Sequence, residues 1–104
     1  MAEITLTSEN FKAEVLESNV PVLVDFWATW CGPCQMMGPV VEELANESDG
    51  SYKVGKVNVD EQGDLAQEYG IMSIPAFFVF KDGNVTASTI GAQGKHALLE
   101  MIKN

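Results

Sequence analysis

The chain has 104 residues, 46% of them hydrophobic and 20% charged, which fits one globular domain spanning 1–104 and excludes disordered, collagenous and low-complexity classes. Six lysines, no arginine and fifteen acids give a net charge of -9, so phosphate backbones and anionic lipid headgroups are repelled; no nucleic-acid and no membrane partner is expected. A core of this size folds without a disulfide staple or structural metal, so the two cysteines need another explanation.

The start, Met1, Ala2, Glu3, Ile4, shows neither a basic stretch nor an apolar h-region, and no uncharged apolar run approaches the ~20 residues of a membrane span. A cytoplasmic location is expected. In that reducing compartment a cysteine pair is more often catalytic or metal-binding than structural.

Ile4 to Leu6 is a short strand, after which Thr7 or Ser8 can cap a helix carrying Phe11, Val15 and Leu16 and ending at Asn19. Val20 to Trp27 is the strongest strand signal, a near-continuous apolar and β-branched run suited to a central strand buried on both faces, with Pro21 at its beginning. From Pro33 to Glu47, Met37, Val40, Val41 and Leu44 recur at helical spacing opposite Glu42, Glu43 and Asn46. Pro33 suits the first turn, whereas Pro39 is expected to kink the helix. Tyr52 to Val59 reads as a strand, and Asp60 as the cap of a short helix with Leu65 and Tyr69, stopped at Gly70. Ala76 to Phe80 and Val85 to Ile90, joined by Lys81-Asp82-Gly83-Asn84, form an antiparallel hairpin. After Gly91 a last helix carries Ala97, Leu98, Met101 and Ile102 on one stripe. The order βαβαβ, helix, ββα predicts an α/β mixed sheet with helices on both faces.

Cys31-Gly32-Pro33-Cys34 lies between the strongest strand and the longest helix. Residues three apart at a helix start share a face, with Cβ atoms about 5 to 6 Å apart, close enough for a disulfide after small adjustment. The first cysteine meets unpaired N–H groups and the positive end of the helix dipole, which stabilise a thiolate; the second, one turn inside, is expected to be better buried. The same spacing serves half of a zinc site, but zinc wants four ligands, and one chain with no third cysteine and the single His96 cannot complete one. No bound metal or cofactor is expected beyond the redox pair. His96, on the polar side of the last helix, takes no role.

At these residues the chain resembles the thioredoxins. Phe26-Trp27-Ala28-Thr29-Trp30-Cys31-Gly32-Pro33-Cys34 is similar to that family's active-site signature, and the resemblance covers the whole chain. Asp25 falls where the family keeps a buried aspartate, Lys56 on its strand lysine, Ser73-Ile74-Pro75 on its cis-proline loop, and Phe80-Lys81-Asp82-Gly83 and Gly91-Ala92 on its later motifs. The resemblance implies a thioredoxin fold, a five-stranded mixed sheet in βαβαβαββα order with four helices on both faces. It also implies a protein-disulfide reductase, re-reduced by a flavoprotein thioredoxin reductase or equivalent donor and serving disulfide-containing clients.

In that reading Cys31 attacks a partner disulfide, Cys34 resolves the mixed disulfide, and Asp25, desolvated among Val22, Leu23, Val24, Phe26 and Trp27, serves as base directly or through water. Lys56 is either a partner that holds this carboxylate ionised or a solvated strand lysine. Pro75 is either a proline opening a strand or, as the family implies, a cis residue that sets the Ile74 backbone beside Cys31 for an extended substrate and keeps metal off the thiols. Trp27 suits packing as well as function, and Trp30 suits partner contact.

Two runs, Phe26 to Val41 and Tyr69 to Phe80, contain no formal charge in a molecule of -9. They predict a neutral docking face of Trp30, Gly32, Pro33, Ile71, Ile74, Gly91 and Ala92 inside an acidic rim. Gln35, Ala76 and Gly94 depart from the family pattern, Gln35 by removing a cation near the thiols. A monomer is expected. The rivals are a disulfide oxidant or isomerase, which Gly32-Pro33 between the cysteines argues against; a non-catalytic module using only the neutral face; and a dimer bridging a metal or cluster through two cysteine pairs.

Overall fold

In the computed structural model, which describes Met1 to Asn104, the chain runs β1 (Ile4–Thr5), α1 (Lys12–Leu16), β2 (Val22–Trp27), α2 (Gly32–Glu47), β3 (Lys53–Asn58), α3 (Gly63–Glu68), β4 (Ala76–Lys81), β5 (Asn84–Ile90) and α4 (Lys95–Lys103). The strands form one mixed sheet in the order β1-β3-β2-β4-β5. β1 and β2 lie parallel to β3, and β4 lies antiparallel to both β2 and β5. The expected βαβαβαββα order and mixed sheet are therefore present.

β2 is flanked on both edges and covered on both faces, which is why its sequence is nearly all apolar rather than alternating. Leu23 packs with Met37, Val41 and Leu44 of α2 and with Leu98 and Ile102 of α4. Val22, Val24 and Phe26 pack on the other face with Phe11 and Val15 around α1 and Leu65 of α3. Successive strand side chains point to opposite faces, so Asp25 and Trp27 leave β2 on the same side as Leu23. Alternation thus aims the one charged residue of β2 at the sheet face that α2 covers, and α2 begins with the cysteine pair.

One local expectation needs correction, and others gain detail. Asp60 does not cap α3: Asn58 Oδ1 accepts the N–H groups of Asp60 and Glu61, Gln62 stands at the cap position, and the Asp60 carboxylate is engaged elsewhere. α2 runs on through Pro39, which lies inside it and leaves the Gln35 carbonyl without its usual backbone donor. Thr7, not Ser8, caps the turn leading into α1, accepting the Glu9 and Asn10 N–H groups, and the helix then widens until Glu17 N–H reaches back to Lys12 O. The β4–β5 turn has positive φ at Asp82 (52°) and Gly83 (81°), the backbone that lets a two-residue connection follow the strand twist.

Gly55, in β3 beside β1, has no room for a side chain. A Cβ there would overlap the buried Leu6 side chain and stand 3.3 Å from the Ile4 carbonyl oxygen. Gly55→Ala is therefore expected to lower stability by about 1 to 3 kcal/mol in urea unfolding, because the buried Leu6 side chain must repack and β1 shift to admit the methyl group.

Candidate active site

α2 starts where β2 ends. Cys31 occupies the N-cap with extended backbone (φ -89°, ψ 112°), and its Sγ accepts the Cys34 N–H at 3.2 Å. Four N–H groups at a helix start lack partners within the helix, so a sulfur here answers one of them and lies in the positive field of the rest. Gly32 and Pro33 fill the first two helical positions, where proline's missing N–H removes nothing the helix uses. Cys34 lies one turn in, and the two cysteines are joined as a disulfide with Cα atoms 5.2 Å apart.

The expected difference in exposure between the two cysteines is absent: each is 4% exposed. Both sulfurs sit in a small apolar nest with Ala28, against which Trp27, Val59 and Ile74 pack. What separates the two cysteines is their relation to the helix, since only Cys31 Sγ receives a backbone N–H across the helix start. Trp30, beside it, is 70% exposed, and its indole Nε1–H donates to Asp60 Oδ2 at 2.9 Å. Asp60 was missed because its position before a helix has the form of a cap.

A second segment meets the disulfide from the sheet. The Ile74–Pro75 peptide bond is cis, and the Ile74 carbonyl oxygen lies 3.8 Å from Cys31 Sγ. Gly91 N–H, at positive φ, donates to Pro75 O at 2.7 Å, tying the start of the last connection to this loop. Trp30, Gly32, Pro33 and Ala92 are exposed around the cysteines, Ile71, Ile74 and Gly91 are half-buried, and Pro75 is buried. Two large apolar side chains of the uncharged runs are still more exposed than Trp30: Met36 at 74% and Met72 at 95%. The uncharged runs contain both, but periodicity alone does not show which methionines face water.

Asp25 is 1% exposed, and its Oδ1 has no hydrogen-bond partner. Burial pushes its pKa up to about 7, the Lys56 charge pulls it down by less, and Glu3 adds to the rise. Lys56 stands opposite Asp25 in register across β2 and β3, yet none of the ion pairs includes it; its Nζ lies 4.5 Å over the Trp27 ring. Lys56 and Trp27 also line a recess of about 250 Å³ with Thr5, Asn58, Glu61 and Gln62, which opens the lysine side of the pair to solvent. No group of three or more histidine, cysteine or acidic side chains gathers in a metal-binding arrangement, and no helix is long and apolar enough to cross a membrane.

Comparison with known proteins agrees with this geometry. The thioredoxin family model matches residues 2–104. A thioredoxin of Rickettsia felis is 50% identical over 97 residues, 93% of this chain and 92% of the relative. Thioredoxin 1 of a Nostoc species is 49% identical over 102 residues, 98% of this chain and 95% of its own, and thioredoxin 1 of Synechococcus elongatus is 53% identical over 93 residues, 89% and 87% of the two chains. A redox-capable cysteine pair at the mouth of α2, on a sheet of this topology and with relatives of this closeness, places the chain in the thioredoxin family of thiol–disulfide oxidoreductases.

Proposed function

We propose that this chain acts as a monomeric, single-domain reductant of disulfides in cytoplasmic client proteins and is itself re-reduced by a thioredoxin reductase or equivalent donor. The observation that carries the reading is the Cys31 sulfur at the helix N-cap, beside the Ile74 carbonyl and inside a neutral face. In the reduced form the Cys31 thiolate attacks one client sulfur; a bond forms between them, the client disulfide breaks, and the departing client sulfur takes up a proton. Asp25 accepts the Cys34 proton, directly or through water, and the Cys34 thiolate attacks Cys31 Sγ, releasing the second client thiol. The client gains two electrons and the Cys31–Cys34 pair loses them. Lys56, opposite Asp25, offsets part of the charge that appears on the carboxylate when Cys34 ionises.

Trp30, Gly32, Pro33, Ile74, Pro75, Gly91 and Ala92 are the docking residues in this reading. An extended client segment would pair with the Ile74 backbone while its cysteine meets Cys31. Equilibrating the pair with glutathione tests the direction of electron flow. The expected result is a Cys31–Cys34 pair more reducing than glutathione; a more oxidising pair would overturn the reductant reading in favour of an oxidant.

Gln35 bears on the same thiolate. Its Nε2 donates to Thr29 O at 3.0 Å, so it braces the loop before the cysteines without supplying charge. Gln35→Lys is expected to lower the Cys31 pKa slightly in a thiol titration of the reduced protein, with solvent screening keeping the change small at this exposed site. No change, or a rise, would count against it.

A further inference from the structure

Two buried side-chain oxygens lack a hydrogen-bond partner, Asp25 Oδ1 and Glu3 Oε2. They flank the same lysine. β3 is the strand between β1 and β2, and its Lys56 is in register with Asp25 on one side and with Thr5 on the other. Ile4 and Leu6 pack on the face of α1 and α3, so alternation sends Glu3 and Thr5 to the opposite face, where Asp25 and Lys56 also lie. Glu3, two residues before Thr5, is then a diagonal neighbour of Lys56, a separation of about 7 to 8 Å that long side chains bridge.

Buried polar oxygens are nearly always paired, because an unpaired one forfeits its hydration without return. Here two buried oxygens that no group of the chain bonds lie beside one cation, and neither makes an ion pair with it. We propose that Glu3 is a positioning residue for disulfide exchange: its carboxylate, across Lys56 from Asp25, offsets part of the lysine's field at Asp25 and so keeps that carboxyl a proton acceptor for Cys34. This rests on Asp25 being the base for Cys34.

The charges acting on the two acids are few. Asp25 is raised first by burial, lowered by Lys56 and raised by Glu3. Glu3 is raised first by burial, lowered by Lys56 and raised by Glu42, which projects from α2 into solvent. From α4 the contributions to this face are the apolar Leu98, Leu99, Met101 and Ile102, its Lys95 is held by Glu43 and Glu47 of α2, and the Cys31–Cys34 disulfide carries no charge. Glu3 belongs to the first residues of the chain and lies outside every motif, so nothing in its local sequence marks it.

The test is a titration of the Asp25 carboxyl carbon by NMR in the disulfide form, where neither cysteine ionises, paired with the pH profile of mixed-disulfide resolution in the same variants. Glu3→Gln should move the Asp25 midpoint down by a few tenths of a unit or more, Glu42→Gln by much less, and Lys56→Met should move it up. The resolution profile of Glu3→Gln should shift in the same direction, while the initial attack by Cys31 keeps its rate. Glu3→Ala provides the same comparison should glutamine disturb the edge strand. An unmoved or raised Asp25 midpoint in both Glu3 variants overturns the link between the two acids. A midpoint that falls while the resolution profile stays fixed overturns Asp25 as the base, and the positioning role with it.

Discussion

Cys34→Ser should accumulate covalent complexes with client proteins, whereas Cys31→Ser should form none and lose exchange activity by orders of magnitude. The asymmetry follows from the helix start. Only Cys31 Sγ receives a backbone N–H across the first turn, and only Cys31 lies against the Ile74 carbonyl, where an extended client backbone would dock. With serine at 34 the mixed disulfide forms but has no neighbouring thiol to displace it, so it persists until an external thiol arrives. With serine at 31 the remaining thiol is one turn inside α2, away from the N-cap. Non-reducing electrophoresis of lysate passed over each variant reads the outcome, and equal trapping by both would reverse or abolish the assigned order of attack.

Asp25→Ala should have opposite effects on activity and stability. Resolution should slow on the order of 10²-fold near neutral pH, the usual loss when a positioned base is removed. Stability should rise by about 1 to 4 kcal/mol at pH 7, because a carboxylate with an unpartnered oxygen in a closed core is more costly than a small apolar side chain. The pH dependence has a definite sign. The folded pKa of Asp25 is about 7, above the ordinary aspartate value of 3.8, so between these values the unfolded chain has released a proton that the folded chain retains. Unfolding then becomes progressively easier as pH rises from about 4 to about 7, and the contribution levels off above that. Removing the carboxyl abolishes this slope, so the stability gain of Asp25→Ala should be largest at pH 8 and lose its ionisation-linked part as pH falls below about 4. Urea unfolding at several pH values measures it; a variant less stable than the parent at pH 8 would show that Asp25 holds the fold together.

Fold and site were unequally legible in the sequence. The strand read over Val20 to Trp27, and found at Val22–Trp27, was evident because a strand covered on both faces leaves few positions for polar residues, and the order of strands and helices then restricted the topology to few choices. The CxxC element was legible because its chemistry depends on a local fact, two sulfurs one turn apart at a helix start. Asp60 was misread for the converse reason. An aspartate before a short helix has the form of a cap, and only the approach of the Trp30 indole from 30 residues away shows what its carboxylate binds. The equal burial of the two cysteines was also hidden, since it depends on Val59 and Ile74 arriving from two other segments.

The sequence by itself determined what is periodic or adjacent: the strand and helix order, the apolar faces, the paired cysteines and the uncharged run of chain through them. Tertiary structure alone decided which charges share a field. Asp25 and Lys56 come from β2 and β3, and Glu3 from the residue just before β1; they meet because β3 lies between β1 and β2, with alternation turning all three side chains to one face. Electrostatic energy depends on distance and on exclusion of water, and neither can be read along the chain when the interacting groups are more than 20 residues apart.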